Sequence, residues 1–224
     1  MGRCSVQFAA MKYKGILFDL DGTLADTLED LTDAMNEALR QLNLPAHTLE
    51  ECRQMIGYGT QEFARRALPA GQEHLTEQLL ARMIQFYQVH CLDKTRPYEG
   101  VSEVLPILKK KGLRLGVISN KNHTQTVKIV EHFFGKTTFD VILGMSDSFR
   151  PKPSPDMVLA ALKRLSLAAP ETILVGDSDI DVLTARSAGV EVVGVGWGFR
   201  SVQVLQEAGA KRIIQHPKDI VELL

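Results

Sequence analysis

Four short apolar runs constrain the fold of this chain more than any other feature: LRLGVIS (113–119), FDVILG (139–144), TILVGD (172–177) and VEVVGVG (190–196). Each is continuous rather than alternating, which predicts strands buried on both faces. Strands covered on both sides need helices above and below, and helical patterns lie between the runs. SPDMVLAALKRL (154–165) predicts a helix with Ser154 as N-cap and Pro155 at its first position. DIDVLTARSAG ends on Gly189 and SVQVLQEAG on Gly209, glycines suited to closing a helix. One more run, KGILFD, stands at the front of the chain. The alternation predicts an α/β fold built on a doubly wound, Rossmann-like parallel sheet.

Residues 28–96 interrupt that pattern and hold no convincing strand. Leu28, Leu31, Met35, Leu39 and Leu42 recur at helical spacing, as do Leu75, Leu79, Met83, Phe86 and Tyr87. Thr48 with Glu51 three residues on predicts a capping box. About four helices are therefore inserted after the first strand. The expected division is an N-terminal extension (1–10), an α/β core (11–27 and 97–224) and a helical insert (28–96). Pro106 inside VSEVLPILKKKG predicts a late helix start or a kink.

Net charge is −1 over 224 residues. No general basic surface offers itself to nucleic acid or membrane. No apolar run approaches the ~20 residues that span a bilayer. The first residues do not form a signal peptide, and Val6 breaks the myristoylation pattern that Gly2 begins. Three cysteines, far apart and odd in number, fit a reducing cytoplasm.

The chemistry lies where the strands end. GILFDLDGT (15–23) runs from apolar residues into Asp19, Asp21 and Gly22. A lone buried carboxylate is costly and calls for a cation. The run 113–118 leads into Ser119 and Asn120, the loop after 139–144 carries Lys152, and 172–175 leads into Gly176 and Asp177, with Asp181 beyond. In open α/β sheets ligands sit at these carboxyl ends. Three carboxylates, a hydroxyl and an ammonium on one rim suit a hard divalent ion such as Mg²⁺ together with a phosphoryl group. Asp19 and Asp177 are candidate metal ligands. A turn at Asp21–Gly22 could send the Asp21 carbonyl to the metal and its carboxylate elsewhere. A carboxylate beside Mg²⁺ can attack phosphorus, and a second can serve as general acid and base.

FDLDGTLADT (18–27), ISN (118–120), Lys152 and GDSDID (176–181) together resemble the four motifs of the haloacid dehalogenase superfamily, in its phosphatase branch. The resemblance implies that Asp19 is the nucleophile and Asp21 the general acid/base. It implies that Ser119 and Lys152, with Thr23 and Asn120, bind the substrate. Asp19, the carbonyl of Asp21 and Asp177 would hold Mg²⁺, with Asp181 as outer support. The helical insert is similar to the family's C1-type cap. IGYGTQEFARRAL (56–68) is similar to the cap segment of phosphoglycolate phosphatases. It implies a Mg²⁺-dependent phosphomonoesterase for a small metabolite, 2-phosphoglycolate by preference. Tyr58 would fill the pocket, and Thr60 would open a helix whose N–H groups favour a carboxylate.

Other readings remain open on the sequence. These are a phosphatase for another small phosphoester or pyrophosphate, a β-phosphoglucomutase-like phosphotransferase using Arg65 or Arg66, a phospho-accepting signalling module, and a non-catalytic binding protein. Partners are expected to be a small phosphorylated metabolite, with no nucleic acid and no membrane, in a monomer or homodimer.

Overall fold

The computed structural model describes residues 12–224, so the expected extension 1–10 and the start of the core at 11 lie outside the described residues. The chain opens with β1 (Gly15–Phe18) and a two-residue strand β2 (Ala25–Asp26). Helices α1 (Leu28–Gln41), α2 (Leu49–Met55), α3 (Thr60–Ala67) and α4 (Thr76–His90) follow, then β3 (Arg96–Pro97). The remainder alternates: α5 (Val101–Lys110), β4 (Arg114–Asn122), α6 (His123–Phe134), β5 (Val141–Met145), α7 (Asp156–Leu165), β6 (Thr172–Gly176), α8 (Asp179–Ala188), β7 (Glu191–Val195), α9 (Val202–Ala208) and β8 (Ile213–Ile214).

One parallel sheet has the order β5-β4-β1-β6-β7-β8. Period-two alternation within the apolar runs separates its faces. Ile16, Phe18, Leu115, Val117, Ile173 and Val175 pack with α5 and α6 on one side. Leu17, Ile118, Leu143 and Leu174 pack with α7 and α8 on the other. From β1 the chain winds outward through β4 and β5, then returns to the opposite side for β6. The strand order therefore reverses at β1, where such sheets bind ligands.

The helical segment leaves and rejoins the sheet layer through an antiparallel ribbon, with Ala25 opposite Pro97 and Asp26 opposite Arg96. Buried Asp30 ties its base: the carboxylate accepts from the Lys94 N–H (2.9 Å), the Thr95 N–H (2.8 Å) and the Thr95 hydroxyl (2.8 Å). The expected leucine stripes form the α1–α4 contact through buried Leu31, Met35, Leu39, Leu79 and Met83. Thr48 and Glu51 form the expected capping box.

Several local expectations need correction. The strand read as ending at Ser119 continues to Asn122, with an irregular register between Ser119 and Asn122. The helix expected from Pro155 begins at Asp156, and the Ser154 hydroxyl donates to the Asp156 carboxylate at 2.7 Å. Pro106 neither delays α5, which starts at Val101, nor ends it. Pro106 and Ser102 are both exposed, so water can satisfy the Ser102 carbonyl that the missing N–H leaves unpaired. The strands β2, β3 and β8 carry no signal in the sequence, because two residues are too few for a periodicity.

Candidate active site

The strands β1, β4 and β6 are neighbours, and their carboxyl ends place the sequence-selected residues together. The Asp19 N–H still donates to the Val175 carbonyl (2.9 Å), which holds Asp19 at the rim of the sheet. Beyond it the chain folds back at once: the Leu20 carbonyl accepts from the N–H groups of Thr23, Leu24 and Ala25. Gly22 makes that turn at φ 84°, and a Cβ there would lie 2.3 Å from Asp177 Oδ2. Only glycine combines the left-handed backbone with that approach.

Asp19, Asp177 and Asp181 are buried, and each offers a carboxylate oxygen within 4.8 Å of the others. Lys152, whose side chain is 2% exposed, reaches Asp19 Oδ1 at 2.9 Å and Asp181 Oδ1 at 2.6 Å. Asp19 Oδ1 also accepts from the Leu20 N–H at 2.7 Å, whereas Oδ2 accepts no hydrogen bond among the described residues. Asp177 receives the Thr23 hydroxyl on Oδ1 (3.0 Å) and the Phe199 N–H on Oδ2 (2.8 Å). Asp181 is committed on both oxygens, to Lys152 and to the Ser178 hydroxyl (2.6 Å), as part of the capping box that opens α8.

Burial drives the Asp19 carboxyl well above the usual range; Lys152 opposes this, and the neighbouring acids Asp181, Asp177 and Asp21 add to it. Burial, with Asp181 beside it, pushes Asp177 up to about 7. Burial works against the charge of Lys152, but Asp181 and Asp19 outweigh it and hold the ammonium above its ordinary value. Crowded, desolvated carboxylates of this kind stay ionised at neutral pH only beside further positive charge. The donors are all hard oxygens. The cluster therefore fits a hard divalent cation.

Asp21 stands apart from this cluster. Its Oδ1 accepts from the Thr27 hydroxyl (2.6 Å) and from Lys121 Nζ (2.7 Å). Sequence reading missed both partners. Lys121 directly follows Ser119–Asn120, which was the one available signal. Its side chain is 3% exposed, and its ammonium also lies 4.7 Å from the centre of the Tyr87 ring in α4.

Two residues expected to bind substrate are spent elsewhere. The Thr23 hydroxyl, buried to 1% exposure, is taken up by Asp177. The Asn120 amide accepts from the Lys152 N–H (2.7 Å) and donates to the carbonyls of Lys152 (3.0 Å) and Gly57 (3.0 Å). It fixes the Lys152 loop and bonds the helical segment over the site. Ser119 is buried, and its hydroxyl accepts from the Lys121 N–H at 3.2 Å.

A cleft of about 420 Å³, partly open to solvent, lies between the sheet rim and the helical segment. Asp19, Asp21, Ser119, Asn120 and Lys121 form its floor, with Leu31, Ile56, Gly57, Gly59, Thr60 and Phe63 above. Thr60 opens α3 as expected. Tyr58 does not line this cleft; its ring packs under Arg66, 3.9 Å from the guanidinium carbon. Gly57 and Gly59 are needed for their φ values of 109° and 93°, not for close approach, since added Cβ atoms would meet nothing nearer than 3.7 Å. Arg65 and Arg66 both bind Glu62, and Arg65, Glu62 and Tyr58 line a larger opening of about 1370 Å³ that shares Gly59, Thr60 and Asn120 with the cleft. Arg200, missed in the sequence, reaches from the loop after β7 to the Arg53 and Ile56 carbonyls, each at 2.6 Å. It fastens the end of α2 to the sheet layer.

Comparison with known proteins adds to this geometry. The family described as haloacid dehalogenase-like hydrolase matches residues 16–195. Phosphoglycolate phosphatase 1 of Pseudomonas aeruginosa is 31% identical over 221 residues, covering 96% of this chain and 80% of that protein. The phosphoglycolate phosphatase of Caulobacter vibrioides is 33% identical over 217 residues, covering 93% of this chain and 91% of that one. The crystal structure of a predicted phosphoglycolate phosphatase from Haemophilus somnus superposes with a TM-score of 0.88 at 28% identity, covering 96% of this chain and 99% of that chain. In sequence and in structure alike, the chain belongs to the haloacid dehalogenase-like hydrolase family and is a phosphatase of it.

Proposed function

We propose that the enzyme is a Mg²⁺-dependent phosphomonoesterase that prefers a small anionic substrate, 2-phosphoglycolate above all. The observation that carries this reading is the placement of Asp19: one oxygen tied to Lys152 and the Leu20 N–H, the other free at the floor of the cleft. The names of relatives over most of their length support the substrate.

Asp19 Oδ2 attacks phosphorus and carries the phosphoryl group until water removes it. Lys152 and the Ser119 hydroxyl hold the phosphoryl oxygens. Asp21, presented by Thr27 and Lys121, protonates the departing ester oxygen and then takes the proton of the attacking water. Thr23 and the Phe199 N–H orient Asp177, while Asp181 orients Lys152. Asp19, Asp177 and the carbonyl of Asp21 would hold Mg²⁺, which when bound supplies charge neutralisation for the phosphoryl oxygens. Leu31, Ile56 and Phe63 exclude water from above.

The test is phosphate release from a panel of phosphorylated metabolites in Mg²⁺ and in excess EDTA. We expect kcat/KM for 2-phosphoglycolate at least ~100-fold above that for glucose 6-phosphate, about 2.7 kcal/mol of transition-state binding. Full activity in EDTA would refute the metal reading. Equal values for the two substrates would refute the preference for a small acid.

A further inference from the structure

Lys121 is the basic residue among those lining the cleft, and the reaction above uses it only to hold Asp21. A lysine ammonium has three donors. One is spent on Asp21 at 2.7 Å, and the Tyr87 ring face covers another side at 4.7 Å. No other oxygen of the described residues accepts from it. A side chain only 3% exposed thus keeps donor capacity toward the cleft.

Resting on the reading of Asp21 as the acid that meets the ester oxygen, we propose that Lys121 receives an anionic group one carbon from that oxygen. The substrate class is then the O-phosphorylated 2-hydroxy acids. The geometry is restrictive. An acid within hydrogen-bond reach of the ester oxygen stands ~2.7 Å from it. Lys121 Nζ stands 2.7 Å from the same carboxylate. Lys121 and Thr27 both occupy Oδ1, so the ester oxygen meets Oδ2 and lies within roughly 7–8 Å of Nζ, two hydrogen-bond lengths plus the width of the carboxylate. A carboxylate on the adjacent carbon bridges that gap and donates no proton, which suits a cation rather than a second acid. A hydroxyl or sugar carbon placed there would leave Asp21 as the ammonium's one anionic partner among the described residues.

The surroundings support this orientation. Leu31, Ile56 and Phe63 on the opposite wall are apolar, and the start of α3 at Gly59 and Thr60 offers backbone N–H groups but no charge. Beyond Lys121 lies a smaller recess whose open surface is apolar, bordered by Thr60, Met83, Ile84, Tyr87 and Gln125. The Tyr87 hydroxyl and the Gln125 side-chain oxygen are buried there without partners. Lys121 is thus the cation at this end of the cleft, with Asp21 between it and the reacting oxygen.

The experiment compares 2-phosphoglycolate with ethyl phosphate, which has the same ester linkage and no carboxylate. Wild-type enzyme is expected to favour 2-phosphoglycolate in kcat/KM by at least ~10-fold. In Lys121→Met the ratio should collapse toward unity, because the carboxylate loses its receptor while both substrates share any effect on Asp21. Lys121→Arg, which keeps the charge, should retain part of the preference. A parallel fall for both substrates in Lys121→Met, with the ratio unchanged, would make Lys121 a positioning residue only and overturn the proposal. A wild type that hydrolyses both equally would overturn it with the phosphatase reading intact, even if Lys121→Met did not fold. A wild type that hydrolyses neither, in Mg²⁺, would overturn both.

Discussion

Removing the Lys152 ammonium tests the electrostatic account most directly. Lys152→Met keeps most of the side-chain length and deletes the charge. In the metal-free protein it leaves Asp19, Asp177 and Asp181 within 4.8 Å of one another, without the cation that now touches two of them. Both partners are out of water: the Lys152 side chain is 2% exposed and that of Asp181 is 0% exposed. Breaking a buried pair by removing one member costs about 3–5 kcal/mol, because the remaining charge stays desolvated. A loss of that size lowers the Tm of a chain this long by roughly 6–20 °C. The sign of the remedy follows from the same argument. Asp181→Asn removes the acid that Lys152 approaches most closely, so the double variant should be more stable than Lys152→Met by at least ~1 kcal/mol. The assay is urea unfolding in EDTA at pH 8, followed by fluorescence of the single tryptophan, Trp197. A loss below ~1 kcal/mol for Lys152→Met, or no recovery in the double variant, would show that Lys152 does not neutralise this cluster.

Asp19→Asn should preserve the fold and abolish turnover, since an amide cannot attack phosphorus; substantial kcat, with wild-type contamination excluded, would reassign the nucleophile. Arg200→Met should raise KM roughly 10-fold with a smaller change in kcat, since the two short hydrogen bonds to Arg53 and Ile56 hold the helical segment over the site; an unchanged KM would mean that Arg200 does not act on closure. Metal-free protein should lose stability as pH rises from 5 to 8. The Asp177 carboxyl is raised from 3.8 to about 7, so its contribution is present below the unfolded value and is lost as pH rises through the folded one. Asp19 shifts in the same direction, and Mg²⁺ should restore stability most at the alkaline end. A flat or rising profile in EDTA would contradict the burial argument.

The longer strands and helices, and the end of the sheet that bears the chemistry, were legible in residue order alone. Continuous apolar runs can be stable only with both faces covered, so the strands were legible. Acids, a serine and a lysine at their carboxyl ends then had few places to go but one rim. Local devices were equally legible, because the Thr48–Glu51 box and the closing glycines act within one turn of helix. How each side chain at the rim spends its hydrogen bonds was not legible there. Lys121 meets Asp21 across 100 positions and Arg200 meets Ile56 across 144, distances at which spacing carries no geometric information. Thr23 and Asn120 were rightly placed near the site, yet their polar atoms serve Asp177 and the Lys152 loop. Tyr58 was expected to fill the pocket; its ring instead lies under Arg66, at the larger opening that shares Gly59, Thr60 and Asn120 with the cleft. The reason is general to such sites. Burial and alternation are properties of single segments and survive in the order of residues, whereas the pairing of charges depends on how separate segments cross.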